Sequence, residues 1–523
     1  MDEQVPTQSR NDQLIRVFAL ALLVGAIALR IVHLREKPLW LDESWSHWFS
    51  GQTWGSLIAG VISYETHPPF YYSALKLWRS LFDDGALALR SLSLIASMAT
   101  LVIVGRTARS MPHGGMNHSA WLAALSLAAV SPPIVEAARQ ARPYALLILA
   151  FAAALLFAFR IIQKWQDNND DTRDWGLWLG YVLSLEGVLW LHTLGALQAF
   201  ALFSSLALAL ISCGATRQRV LTFLGAHCVA GALWLPSFAI LLQQQENWTR
   251  GTWLVFRLES AGAEYLQAVA APGVFGIGLF LLAFCGLIIS LHNRKMRIFG
   301  MSLFVCAVVP ALLEIILSMT VSPVFLGRTL APAAVPIVLL ASLPIGLSSR
   351  KLLPVTATAC IAIGLLISSW QLVSRAPEER WGELGEALAK RLAPTDEVWL
   401  LPNELVLPLQ LASPELSKRT RTQPLPFGFP AKFQDGPHPS GTAAVVALTP
   451  ESARKLVKDA RRRGVESVWV VSRFAWLFDP DSELAKAFGT QAIVEKDDHF
   501  APLIVQRYRV NARGAQADGA AAH

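Results

Sequence analysis

The stretch Leu39–Trp54, "LWLDESWSHWFSGQTW", sets two adjacent carboxylates, Asp42 and Glu43, among four tryptophans, Trp40, Trp45, Trp48 and Trp54. Carboxylates are costly to hold among apolar and aromatic groups unless something answers their charge. One use for such a group is as a general base that takes the proton of an acceptor hydroxyl. The plainer reading is a solvated acidic pair in a surface loop. His67 follows, with Pro68 and Pro69 behind it; the two prolines stiffen the chain and fix where a helix starts.

A second group of residues is cationic. In "SPPIVEAARQARPYALLILAF", Glu136, Arg139 and Gln140 fall on one helical face, and Arg142 comes three residues after Arg139. Arginine matches the geometry of phosphate oxygens; snorkelling to lipid headgroups is the competing use. Arg90 in "ALALRSLSL", His192 in "WLHTLG" and Arg328 in "VFLGRTLAPAAVP" each stand at the edge of an apolar block. Singly, each is a boundary residue. Together with His67 they come from five segments and could converge on one anionic group.

The elements that must position these groups are membrane helices. Of 523 residues 53% are hydrophobic and 16% charged, against about a quarter charged in a soluble chain. The apolar residues form long blocks, which spans of about 20 residues require. The sequence therefore predicts a polytopic α-helical membrane protein with about eleven transmembrane helices, near 14–34, 87–105, 119–135, 143–161, 175–191, 194–212, 220–242, 273–291, 299–320, 328–347 and 353–373. Residues 1–13 form a polar N-terminus, and no small-residue cleavage site follows the first block, which reads as an anchor. Lys and Arg are richer in one set of loops, with "LHNRKMR" and "SSRKLL" its clearest members. That bias puts the N-terminus in the cytoplasm of a cell-membrane protein, and the loop 35–86 and everything after 374 outside.

Within that outer loop, "THPPFYYSALKLWRSLF" reads as a helix lying in the interface plane, with Thr66 as its cap. From 375 to 510 the composition changes to that of a small α/β domain. "EERWGELGEALAKRL" and "ESARKLVKDARRRG" are its helices, and "EVWLLP", "TAAVVAL", "SVWVVS" and "APLIVQRYRV" its strands. The tail 511–523 is small, polar and expected to be disordered.

Some chemistries drop out. The net charge of +7 punctuates apolar blocks and forms no basic patch with interleaved aromatics, so no nucleic-acid partner is expected. The five cysteines lie in or beside apolar blocks, none in a CxxC; they read as packing residues. The histidines show no ligand spacing. No cofactor and no metal are expected, and dependence on a divalent ion stays open at this stage.

The order of motifs is specific even where each motif is weak. A first span is followed by "LDES", "HPPFYY", "LRSLS", "ARPYALLIL", "LHTLG" and "FLGRTLAPAAVP". This order resembles the GT-C superfamily of membrane glycosyltransferases over roughly residues 14–375. Within it, the order is most similar to the RgtA/B/C/D-like group, related to the protein O-mannosyltransferases and the lipid A aminoarabinose transferase. The resemblance implies transfer of a sugar from a polyprenyl-phosphate donor to an acceptor hydroxyl outside the membrane, with inversion. The acceptor would be a lipid, a glycan or a protein. Asp42, with Glu43 beside it, would act on the acceptor; His67, Arg142, Tyr144 and Arg328 match the family's remaining motifs. Arg90, Arg139 and His192 join them as candidates to bind the donor phosphate or the substrate. The chain departs from the family at Gln140, where relatives often carry an acidic residue two before Arg142; Glu136 lies one turn earlier.

Two other classes compete with an enzyme. A flippase or transporter for lipid-linked sugars would also be polytopic, with charges facing a cavity. Against it, no paired inverted halves are visible, and the acids cluster in an outer loop. A membrane scaffold with a partner-binding C-terminal domain would leave Asp42 without a biochemical role.

Overall fold

A computed structural model describes residues 7–510 except 64, 66, 113–117, 168–173, 251–253, 349–351, 430–446 and 490–491. The chain divides into two compact units. The first is Met1–Arg35, His67–Leu242 and Leu254–Arg375; the second is Glu36–Thr66, Gln243–Trp253 and Ala376–His523.

The first unit is helical, and the protein is a multi-pass membrane protein. Among the described residues, seven helices are long and apolar enough to cross a membrane: Ala86–Ser110, Tyr144–Gln166, Gly195–Ser212, Arg217–Gln245, Val274–His292, Arg297–Thr320 and Leu352–Ser374. An eighth candidate is a pair, Ala120–Val130 and Pro132–Ala138, bent by 54°. The bend has a local cause. Pro132 and Pro133 open the second helix, and neither has an N–H to continue the first. The remaining expected spans appear as shorter apolar helices, Leu20–Ile31, Trp175–Leu191 and Ala331–Leu347. The helix that contains the first of these begins at Thr7, ahead of the apolar run.

The bilayer is the solvent of this unit. The apolar window of Tyr144–Gln166 is 67% buried in protein, whereas that of Arg217–Gln245 is 11% buried and exposes Leu221, Leu224, Leu233 and Leu235. Between spans, small residues permit close approach, as expected where lipid offers no hydrophobic drive. A Cβ at Gly286 would run into the backbone oxygen of Leu340, and one at Gly364 into the ring of Phe275. The helix expected in the loop 35–86 is Phe70–Leu81. It buries Tyr71, Tyr72 and Leu75 and exposes Phe70, Leu77 and Leu81, so its outward face is apolar. Trp78 turns inward, its indole N–H donating to Ala88 O at 3.1 Å and Ser91 Oγ at 3.0 Å. Pro69 precedes the first turn, and Thr66 lies outside the described residues. The five cysteines are free thiols, with Cys306 buried.

The second unit carries a five-stranded sheet: β1 (Glu397–Leu401), β2 (Thr422–Pro424), β3 (Ser467–Ser472), β4 (Ile493–Asp497) and β5 (Ile504–Arg509). The order is β2-β1-β3-β5-β4. β1 runs parallel to β2 and β3, and β5 antiparallel to β3 and β4. Every residue of β1 and β3 is buried. "EVWLL" and "SVWVVS" therefore read as unbroken apolar runs rather than as alternation, as inner strands covered on both faces do. Thr449 caps the helix Pro450–Arg462 through its Oγ1, which accepts from Ser452 N–H at 3.2 Å. Trp399, Val457, Val470, Phe488 and Tyr508 meet in the core, with the last two rings stacked at 4.6 Å. Strands β2 and β4 were not expected. Both are edge strands: β2 is three residues long and ends in proline, and β4 is charged at three of its five positions. Most of "TAAVVAL" and the tail 511–523 lie outside the described residues.

Gly286→Val tests the packing between Val274–His292 and Ala334–Leu347. The carbonyl it meets is backbone, so the helices must part, at a cost of about 1–3 kcal/mol or more. Thermal unfolding in detergent should show a clear drop in Tm for Gly286→Val and none for Gly225→Val, since a Cβ at Gly225 meets nothing.

Candidate active site

In the second unit, Asp42 and Glu43 occupy the first turn of the helix Leu41–Gly51. A helix start exposes backbone N–H groups without intrahelical partners, and negative charge is favoured there. Trp40 N–H donates to Glu43 Oε2 at 3.4 Å, and Leu41 N–H donates to Glu379 Oε2 at 2.9 Å. The two adjacent acids thus differ. Glu43 is fully buried and turns back on its own helix start, while Asp42 is half-buried. Asp42 is the more exposed of the pair.

Residues far along the chain hold this turn. Glu379 is 1% exposed. Its Oε2 also accepts from Trp381 Nε1 at 2.7 Å, and its Oε1 pairs with Arg473 Nη1 at 2.6 Å. Glu65 Oε2 accepts from Trp45 Nε1 at 2.6 Å. Trp45 in turn packs against Trp48 at 5.4 Å, Phe49 at 5.3 Å and Phe429 at 5.6 Å. Trp45 and Trp48 thus belong to an aromatic cluster beside the acids. Burial pushes the Glu379 carboxyl up from its ordinary range, against the pull of Arg473. Glu404 is pushed up to about 7, first by burial and then by the negative charge of Asp42, with Arg473 opposing and Glu65 and Glu379 adding to it. Asp42 thus sits in a field made by neighbouring carboxylates and one guanidinium. Among the described residues, no group of three or more His, Cys, Asp and Glu is arranged to hold a metal ion.

In the first unit, the sequence candidates fall into two sets. His67, Tyr144, His192 and Arg328 come together. The rings of His67 and His192 stand edge to face at 4.8 Å, Tyr144 lies 5.9 Å from His192, and the Arg328 guanidinium is 5.7 Å from the Tyr144 ring. Arg142, 4% exposed, and Arg328 both act electrostatically on His192. Leu194 N–H donates to His192 Nδ1 at 3.1 Å, which assigns the ring proton of the neutral form to Nε2, a donor suited to an anion. The elements explain the convergence. His192 follows the helix Trp175–Leu191, Tyr144 opens Tyr144–Gln166, and Arg328 sits in the short 3-10 turn Gly327–Thr329.

Arg90 and Arg139 form the other set. Arg90 Nη1 donates to Leu34 O at 2.7 Å; Arg139 Nη1 donates to Arg30 O at 2.8 Å and to Leu29 O at 3.3 Å. These carbonyls lie at and just beyond the end of the first helix, where no further turn can satisfy them. Arg30 belongs with this set. It is fully buried, donating to Ser97 Oγ at 2.9 Å and to Ala129 O at 2.9 Å. Glu136 is exposed and accepts weakly from Gln140 Nε2 at 3.5 Å. Sequence reasoning missed Glu379, Glu65, Glu404, Arg473 and Arg30. The signal present in the sequence was a Glu two residues before a Trp in "EERW", and a lone Arg inside an apolar span.

No family model matches the sequence, and no curated protein matches it. The fold does have known counterparts. ArnT from Cupriavidus metallidurans in the apo state is 14% identical, with a TM-score of 0.57 over 96% of this chain and 98% of that one. The same protein bound to undecaprenyl phosphate gives 0.56 over the same shares. The oligosaccharyltransferase AglB from Archaeoglobus fulgidus, in complex with an inhibitory peptide and a dolichol-phosphate, is 12% identical, with a TM-score of 0.50 over 88% of this chain and 70% of that one. A multi-pass helical unit, a small sheet-bearing unit and a likeness that runs nearly the whole length of ArnT show that the chain shares the fold of that protein.

Proposed function

We propose that this protein is a membrane glycosyltransferase that moves a sugar from a polyprenyl-phosphate donor to an acceptor hydroxyl on the extracytoplasmic side of the cell membrane. The observation that carries the reading is the cluster of His67, Arg142, Tyr144, His192 and Arg328 at helix ends of the first unit. Two guanidiniums and an imidazole N–H donor suit a phosphate, and a site at helix ends suits one carried by a membrane lipid. The carriers in the ArnT and AglB structures, undecaprenyl phosphate and dolichol-phosphate, have that chemistry.

The steps follow from the residues. Asp42 takes the proton of the acceptor hydroxyl, whose oxygen attacks the anomeric carbon. The bond from that carbon to the phosphate oxygen breaks, and its electron pair leaves on the lipid phosphate. Arg142, Arg328 and His192 Nε2–H stabilise the charge that grows there. Phosphate is a good leaving group, so no strong general acid is needed, and a single displacement inverts the anomeric centre. Glu43 serves the helix start rather than the substrate. Arg90 and Arg139 serve the end of the first helix.

Asp42→Asn should lower sugar transfer by roughly 10²- to 10⁴-fold, the range of a general base, with donor affinity unchanged. Transfer of labelled sugar from polyprenyl-phosphate sugars to a membrane and periplasmic extract, run in detergent, measures this. The labelled product identifies the acceptor class, and equal transfer by both proteins would remove Asp42 from the reaction.

Glu404 makes a pH prediction. A carboxyl with a raised folded pKa binds its proton more tightly when folded, so the folded state loses stability as the pH climbs from about 4.5 through about 7. Glu404→Gln removes that loss. The variant should gain on wild type by on the order of 1–3 kcal/mol between pH 5 and pH 8, read as the difference in Tm at the two values. A constant difference across the range would refute the assignment.

A further inference from the structure

The helix Arg297–Thr320 carries one acid, Glu314, fully buried in an otherwise apolar span. An acid at such a place is retained only where polar partners meet it. Its partners are all in the segment that presents Arg328. Thr329 Oγ1 donates to Glu314 Oε1 at 2.9 Å and lies 3.1 Å from Oε2, and Leu326 N–H donates to Oε2 at 3.4 Å.

One turn along the same helix, Ser318 Oγ accepts from Val324 N–H at 3.0 Å and from Phe325 N–H at 2.8 Å. From a second helix, Gln198, 1% exposed, donates through Nε2 to Thr329 O at 2.8 Å. A third presses close, since a Cβ on Gly327 would come within 3.2 Å of Ala268 Cβ. The backbone on both sides of Arg328 is thus tied to buried side chains, and the guanidinium leaves this frame toward the Tyr144 ring at 5.7 Å.

We infer that Glu314 is a positioning residue for the donor phosphate: through Thr329 and Leu326 it sets the 3-10 turn that aims Arg328. The inference rests on the donor reading above. Glu314 touches no substrate; it removes the freedom of a turn that would otherwise spread the guanidinium over many positions, and so lowers the ordering cost of binding.

The test is binding of undecaprenyl phosphate in detergent to wild type, Glu314→Ala, Glu314→Gln, Arg328→Ala and the Glu314→Ala/Arg328→Ala double variant. Glu314→Ala should raise Kd roughly tenfold, and the double variant should bind no worse than Arg328→Ala, because residues that act through one contact are not additive. Glu314→Gln, whose amide can still accept from Thr329 and donate to it, should recover most of the loss. Additive losses, or an unchanged Kd in Glu314→Ala, would overturn the inference. Amide hydrogen exchange over residues 322–330 separates it from the donor reading. Faster exchange in Glu314→Ala but not in Glu314→Gln is expected whether or not the lipid binds, and equal exchange would overturn it. Failure of wild type to bind the lipid, with the exchange pattern as expected, would sink the donor reading alone.

Discussion

A charge taken out of water must be answered by the protein, and in this chain the answers define the architecture. The cost of leaving a buried carboxylate or guanidinium unanswered exceeds the stabilisation from most single contacts. Glu379 shows the constraint at work. Its two oxygens meet a backbone N–H of the first loop's helix, an indole two residues on and a guanidinium just past β3. Three segments distant in sequence are brought to one carboxyl group. Remove it, and Leu41 N–H and Arg473 both lose a buried partner while the first turn that carries Asp42 loses its anchor. Burial pushes this carboxyl toward its neutral form while its partners pull it back. Those partners hold the turn in place while they oppose the effect of burial.

The same rule sorts the arginines of the helical unit. Arg90 and Arg139 are buried, as Arg142 is, and their observed bonds run to backbone carbonyls at the end of the first helix, while buried Arg30 bonds Ser97 Oγ and the Ala129 carbonyl of another helix. A helix that stops inside protein leaves carbonyls that water would otherwise satisfy, and a planar five-donor guanidinium fills that need well. Arg328, His67 and His192 instead gather with the Tyr144 ring. Position at a membrane edge does not separate the two uses; partners do.

The sequence makes the helical unit legible because the bilayer imposes one strong pattern, long apolar blocks, and the structure places a helix in each block. Length was less legible. Two blocks became helices shorter than a full span, and one was broken at Ser131-Pro132-Pro133, since periodicity says little about where a helix bends or stops. β1, β3 and β5 were legible from their β-branched and aromatic runs. β2 and β4 were not, because edge strands carry charge and proline that mask the pattern. At the site, residue types pointed to the acids and cations, but their roles come from contacts at long sequence separation. Asp42 and Glu43 are neighbours with the same chemistry; only the fold turns one onto its own helix and leaves the other half-exposed.

That division explains why two acids stand together among tryptophans. A base must be near solvent or substrate to exchange its proton, yet fixed enough to meet a hydroxyl at hydrogen-bond distance. One residue rarely satisfies both demands at the start of a helix, where orphan N–H groups compete for any nearby oxygen. Glu43 and Glu379 take up those N–H groups, and Glu65 fixes Trp45 beneath them. Two of the N–H groups at this helix start are thus met by acids other than Asp42. The carboxylates around it then set its charge environment rather than its geometry, since Glu404 and Glu379 both respond to its charge. On the proposed reading, the second acid takes the helix start and the first takes the substrate, beside an aromatic cluster built on Trp45 and Trp48.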